Sequence, residues 1–139
     1  MATITITKAQ VLDKLTAEST NASRTAKRQD GVSEFEEIMI DQQAMDSLEG
    51  AWLESFAKLT EKMHEFLTNY DNDGDIIEFE FAQIVEDGIP TNILMYIVDY
   101  MMQDWLASVR PDFRAKYVER ANFEMDDLLR KLYKKESPV

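Results

Sequence analysis

The stretch ILMYIVDYMMQDWLASV, residues 93–109, sets the architecture of the chain. Ile93, Leu94, Tyr96, Ile97, Val98, Met101, Met102, Trp105, Leu106 and Val109 leave it apolar on nearly every side. A helix without a polar face belongs at the centre of a domain, wrapped by other elements. The competing use of such a stretch is a bilayer span. A span needs about 20 mostly apolar residues, and Asp99, Gln103 and Asp104 interrupt this one. The segment is therefore predicted to be a buried helix, capped at Thr91 or Asn92 and stopped by Pro111.

Towards the C-terminus, Phe113, Tyr117, Ala121, Met125, Leu128 and Leu132 line one face of a helix over 112–135. Its final turns carry Arg130, Lys131, Lys134 and Lys135, where cations suit the helix dipole, and 136–139 form a short tail. Upstream, apolar residues from Phe35 through Trp52, Phe56, Leu59 and Met63 to Phe66 recur in steps of three and four. This predicts an amphipathic helix over about 34–68, opened by a Ser33/Glu36 capping box, with Asp41, Asp46 and Gly50 as the points where it would break in two. Asn69 to Asp75 reads as an acidic turn. Ile77, Phe79 and Phe81 alternate with Glu78 and Glu80, which suggests a strand or hairpin near 76–85; Phe81, Ile84 and Val85 suit a helix equally well. Residues 1–6 alternate as a strand or extended arm would, suited to adding a strand to a neighbour. Thr7 and Gln10 then cap a short helix burying Val11, Leu12 and Leu15, and 19–31 read as a loop or arm ending at Asp30-Gly31. The expectation is a single mainly-α domain over 1–139, a helical bundle with long amphipathic helices and a minor β hairpin or strand.

The chain has 139 residues, with 15 Lys plus Arg against 27 Asp plus Glu, a net charge of −12. Residues 31–104 hold 18 carboxylates and two lysines, whereas residues 1–30 and 105–139 are each net +2. An acidic middle between basic ends reads either as a solvated face or as the basis of head-to-tail association, a heterologous contact that builds rings. There is no cysteine, which excludes a disulfide scaffold, a thiolate metal site and a cysteine nucleophile. Residues 1–8 lack the basic and apolar regions of a secretory signal.

The sharpest motif is Asn69-Tyr70-Asp71-Asn72-Asp73-Gly74-Asp75-Ile76-Ile77-Glu78-Phe79-Glu80. It resembles the EF-hand loop over twelve residues, with Asp71, Asp73 and Gly74 at the third, fifth and sixth positions and Glu80 at the twelfth. Calcium takes six to eight oxygens, and such a loop supplies carboxylates around a sharp glycine turn. Asn69, Asp71, Asp73, Asp75 and Glu80 are the candidate ligands. Three features depart from the family: asparagine at position one, Glu65 and Thr68 where aromatics stand, and Ile77 at position nine. A solvent-facing turn bent at Asp73-Gly74 is the plainer reading. The single histidine, His64, sits one step off the apolar stripe without a second His or Cys to share a metal. Adjacent carboxylate pairs such as Glu36/Glu37 and Asp126/Asp127 diverge by about 100° on a helix, so they do not converge on a substrate. No nucleophile elbow, P-loop or dinucleotide fingerprint is present, and the expectation is a protein that is not an enzyme.

The C-terminal third, with Trp105, the Pro111 break, Tyr117, Ala121, Leu128, Leu129 and the ending Leu132-Tyr133-Lys134-Lys135 before Pro138, is similar to small neck proteins of tailed bacteriophages. These are head–tail connector, head-completion and tail-adaptor proteins, especially of phages infecting Bacteroides-like hosts. The opening Ile6-Thr7-Lys8-Ala9-Gln10-Val11-Leu12 has the same character. The resemblance covers about 50 residues and omits 34–68 and 69–87. It implies a structural virion protein made in the host cytoplasm, a homo-oligomeric ring at the portal vertex with twelvefold symmetry the leading expectation. Its partners would be portal and tail proteins, and DNA would pass through as cargo, without specific nucleic-acid binding and without membrane. The residues expected to carry assembly are Trp52, Phe56, Arg110, Lys131, Tyr133, Lys134 and Lys135. Three alternatives compete: an acidic DNA mimic that inhibits a DNA-binding protein, a calcium-binding EF-hand-like module with Ca2+ as its one cofactor, and a non-viral bacterial helical adaptor.

Overall fold

A computed structural model describes residues 2–25 and 47–136. In chain order the elements are strand β1 (Ala2–Thr7), helix α1 (Lys8–Thr25), helix α2 (Glu49–Met63), strands β2 (Leu67–Asn72) and β3 (Ile76–Phe81), helix α3 (Ile89–Val109) and helix α4 (Arg114–Glu136). Short 3-10 turns at His64–Phe66 and Pro111–Phe113 follow α2 and precede α4. The fold is mainly α with a small three-stranded antiparallel sheet in the order β1-β3-β2.

Helix α3 is the axis. Ile89, Ile93, Ile97, Val98, Met101, Met102 and Leu106 are fully buried, and α1, α2 and α4 all pack on it. It starts at Ile89, a turn before the expected cap. Pro90 supplies a pre-set first turn, and the Asn92 side chain is thereby turned toward α4. Helix α4 lays Tyr117, Ala121, Met125, Leu128 and Leu132 along α3, the face that the period of 3.6 residues marks out.

Three expectations need correction, and one open choice is settled in favour of the expected strand. The first concerns α1, which continues through Thr25 instead of fading at Ser19. Ser19 is buried one turn after Leu15, and its hydroxyl donates to the Thr16 carbonyl (3.2 Å), so a polar residue continues the buried face. Second, the helix expected over 34–68 ends at Met63; the 3-10 turn redirects the chain, and Leu67–Asn72 is strand. Its portion over 34–46 and the 26–31 part of the expected arm lie outside the described residues. Third, the 76–81 ambiguity resolves to strand, because Ile77, Phe79 and Phe81 are all buried on one side of the sheet. Fourth, β1 pairs with β3 of its own chain, Ile4 opposite Phe79 and Ile6 opposite Ile77, so this strand is already used within the fold.

Trp52 shows how the core is closed. Expected as a large core anchor or an interface hot spot, it is the former: fully buried, with Lys8 over its ring at 5.7 Å, and Leu59 and Met63 continue the same buried face of α2. Replacing Trp52 with alanine should cost about 3–5 kcal/mol, as large-to-small core truncations do. Chemical denaturation would check this; a loss below about 1 kcal/mol would place the indole outside the core.

Candidate functional site

The sheet has one covered face and one open face. Inward, Ile4, Ile6, Ile77, Phe79 and Phe81 are buried, and Phe56 of α2 packs against the Phe79 ring at 5.6 Å. Outward, the pairing aligns side chains in rows: Thr3, Glu80 and Asn69 in one, Thr5, Glu78 and Asp71 in the next. Thr3, Thr5, Asn69 and Asp71 are exposed, with Glu78 and Glu80 half-buried between them. This face thus carries three carboxylates and no base. Asp71 lies directly across from Glu78, a like-charge pairing that costs stability. Residues 65–87 hold eight carboxylates without one Lys or Arg.

The hairpin turn uses the oxygens that a cation would need. Asn72 Oδ1 accepts from the Gly74 amide at 2.9 Å, and Asp73 Oδ1 accepts from the amides of Asp75 and Ile76, each at 2.9 Å. The Asp75 and Ile76 amides hold the Asp73 carboxyl below its usual range. Gly74 has φ +103°, a left-handed conformation that a side chain would strain. The calcium-loop expectation is corrected here. Strand geometry advances about 3.3 Å per residue, so Asn69 and Asp73 stand about 13 Å apart, far beyond one coordination shell. Asn69 does lie opposite Glu80, but the exit helix of an EF-hand is replaced by β3. Among the described residues no group of three or more His, Asp or Glu is placed to hold a metal ion.

A half-buried polar network without a local sequence signature joins α1, α3 and α4. Arg120 grips Glu18 with both terminal nitrogens, at 3.0 and 3.1 Å, and its guanidinium lies 5.1 Å from the Tyr117 ring centroid. The Tyr117 hydroxyl donates to Glu18 at 3.3 Å. Burial acts to raise the Glu18 carboxyl, but the hydrogen bond and charge of Arg120, helped by Tyr117, hold it below its ordinary range. Asp99 lies beside them, 1 % exposed and 3.6 Å from Arg120, with neither oxygen accepting a hydrogen bond. Burial pushes its carboxyl up to about 7, against the pull of Arg120 and with the repulsion of Glu18 and Glu124. The one available hint was Asp99 itself, a carboxylate inside an otherwise apolar helix. Two turns before Asp99 on α3, buried Asn92 donates to Glu124 (2.6 Å) and Asp127 (3.1 Å) and accepts from Lys131 (2.7 Å). The Lys131 and Asn92 hydrogen bonds hold Asp127 low.

The expected assembly residues do not form one patch. Trp52 is internal. Phe56 is half-buried against Phe79 and Tyr70. Arg110 pairs with Asp112 and covers the Phe113 ring at 4.2 Å. Lys131 is held by Asn92 and Asp127, and Arg110, just past the end of α3, stands 18 positions beyond Asn92, about 27 Å at 1.5 Å per residue. Tyr133 is half exposed, its ring edge on Phe66 at 5.0 Å and its hydroxyl on Glu65. Lys134 and Lys135 extend α4 in its last turn. A groove of about 460 Å³ separates α2 from α4, floored by Tyr96 and Tyr100 and rimmed by Lys58, Lys62 and Asn122. Among the described residues no helix is long and apolar enough to cross a membrane.

The chain matches no protein-family model, no curated protein and no solved structure.

Two measurements follow from this geometry. Millimolar calcium should leave the melting temperature unchanged, and Asp73→Ala should lower it to the same extent with or without calcium, through loss of its turn hydrogen bonds. Calcium-dependent stabilisation that Asp73→Ala removes would contradict the hairpin geometry. The second concerns pH. Asp99 is raised from 3.8 to about 7 in the folded state, so the folded protein binds more protons than the unfolded chain between those values. Stability should therefore fall as pH rises through that window and level off above it. Asp99→Asn should flatten the slope and gain a few kcal/mol at pH 8, since each tenfold change in proton affinity is worth about 1.4 kcal/mol. Denaturation at pH 4 and pH 8 would measure it.

Proposed function

We propose that this protein is a structural assembly component of a tailed phage, a head–tail connector or neck adaptor whose copies associate head to tail into a ring at the portal vertex. The observation that carries the reading is the outer face of the sheet, whose charged residues Glu78, Glu80 and Asp71 are all acidic and stand among Thr3, Thr5 and Asn69, with no described element packed over it. Such a face either meets a cationic partner or repels polyanions, and a connector uses both properties. Towards DNA it gives a wall along which phosphates slide without sticking. Towards a neighbouring copy it complements α4, which holds seven basic residues against five acidic, with Arg130, Lys131, Lys134 and Lys135 gathered in its last turns. The C-terminal resemblance to neck proteins supplies the phage context, with the virion as location and portal and tail proteins as partners. The polar networks described above tie helices together and do not converge on a cleft, which favours a building block over an enzyme.

The same acidic face favours a second reading, a DNA mimic that occupies the basic site of a DNA-binding protein. Residues two apart on one strand face, as Glu78 and Glu80 are, repeat at about 6.7 Å, so the face presents regularly spaced negative charge.

Light scattering and electron microscopy separate the two. The connector reading predicts rings, alone or on an added phage portal, and predicts that Glu78→Lys with Glu80→Lys abolishes them while the monomer stays folded by circular dichroism. A monomer that ignores portal and instead displaces DNA from a basic protein would establish the mimic.

A further inference from the structure

The two edges of the sheet are unlike. In the order β1-β3-β2, both β1 and β2 are edge strands. The β2 edge is blunted by Asp71 and by an irregularity in its pairing between Leu67 and Asn69, devices that keep an edge from accepting another strand. The β1 edge, Ala-Thr-Ile-Thr-Ile-Thr over 2–7, has no charge, no proline and no bulge.

The hydrogen bonding fixes which groups the β1 edge offers. The Lys8 amide donates to the Asp75 carbonyl at 2.8 Å and continues the β1–β3 register. Bonding alternates along an antiparallel strand, so Ala2, Ile4 and Ile6 turn their backbone groups toward β3, and Thr3, Thr5 and Thr7 turn theirs away. The opposite side agrees: Ile76, the partner of Thr7, gives its carbonyl to the Asp73 amide at 3.2 Å. Thr7 is already used, since its amide donates to Gln10 Oε1 at 2.9 Å. Thr3 and Thr5 are exposed, and among the described residues no hydrogen bond reaches their backbone groups from the open side.

We propose that this edge receives an extended segment of a partner protein carrying a basic–apolar–basic triplet, added antiparallel to β1 as a fourth strand. The proposal rests on the acidic sheet face being a surface for cationic partners, and does not need the ring. The two basic residues exchange amide and carbonyl bonds with Thr3 and Thr5. Their side chains fall on the outer face, in the rows that continue through Thr3 to Glu80 and through Thr5 to Glu78. Strands stand about 4.8 Å apart, so a Lys or Arg there lies across one short threonine to reach a carboxylate. The residue between them points to the core side beside buried Ile4, where an apolar side chain extends the covered face. The partner is a different chain, because the one Lys/Arg–apolar–Lys/Arg triplet of this sequence, Arg114-Ala115-Lys116, opens helix α4.

A blocked seven-residue peptide with Lys-Val-Lys at its centre, titrated into the full chain and followed by NMR, tests the edge. At saturation, solvent exchange of the Thr3 and Thr5 amides should slow about tenfold, with the β2 amides unchanged. Glutamates in place of the peptide lysines, or N-methylation of the two lysine amides, should weaken binding about tenfold or more. Thr5→Pro removes one outward amide at a position where an edge strand tolerates proline, and should weaken binding to the same degree. Thr5→Ala keeps that amide and should bind within about twofold of wild type. If Thr5→Pro fails to fold by circular dichroism, the N-methylated peptide makes the same distinction on the unmodified protein. Absence of binding, binding that survives N-methylation, or protection at β2 in place of Thr3 and Thr5 overturns the proposal. Rings without peptide binding remove this edge site and leave the assembly reading standing; peptide binding without rings does the reverse.

Discussion

One constraint governs the architecture: α3 has to be covered on every side. Its 21 residues are apolar almost all round, and seven of its side chains are fully buried in the residues described. Each such side chain contributes about 1.5–3 kcal/mol when removed from water, so leaving any side of α3 bare is costly. Helix α4 covers one side through a face set by the period of the α-helix. Helices α1 and α2 cover others. The sheet adds its own buried face, with Phe79 against Phe56.

The same constraint gives Asp99 its character. A carboxylate on a surrounded helix has no route to water, and the strong cation beside it is already paired with Glu18. Its counterpart two turns earlier on α3, Asn92, is nearly as buried but satisfied by Glu124, Asp127 and Lys131. The start of α3 is therefore fixed to α4 in a polar network with every partner in place, while its middle holds a carboxyl whose ionisation burial delays.

The acidic hairpin shows why a local motif misleads. Asp71, Asp73, Gly74 and Glu80 satisfy the spacing of a cation loop, yet spacing along the chain does not fix spacing in space. In a helix–loop–helix those oxygens would converge. In an antiparallel hairpin they are laid out along two strands, and Asp73 commits its carboxylate to two backbone amides. The alternation of Ile77, Phe79 and Phe81 was the stronger signal, because it reported which face the core would claim.

The central helix, the inward face of α4, the strand at 76–81 and the uneven charge were all legible along the chain, since each depends on periodicity or composition within a short window. Three-dimensional packing was needed to turn Trp52 inward, to pair the N-terminal strand with its own chain and to carry α1 on past Ser19. It also joined Glu18 to Arg120 and Asp99, residues 102 and 81 positions away along the chain. These outcomes depend on which long-range neighbour occupies a site, and no short window contains that neighbour. Local pattern states what a residue needs; the packed chain states what meets it.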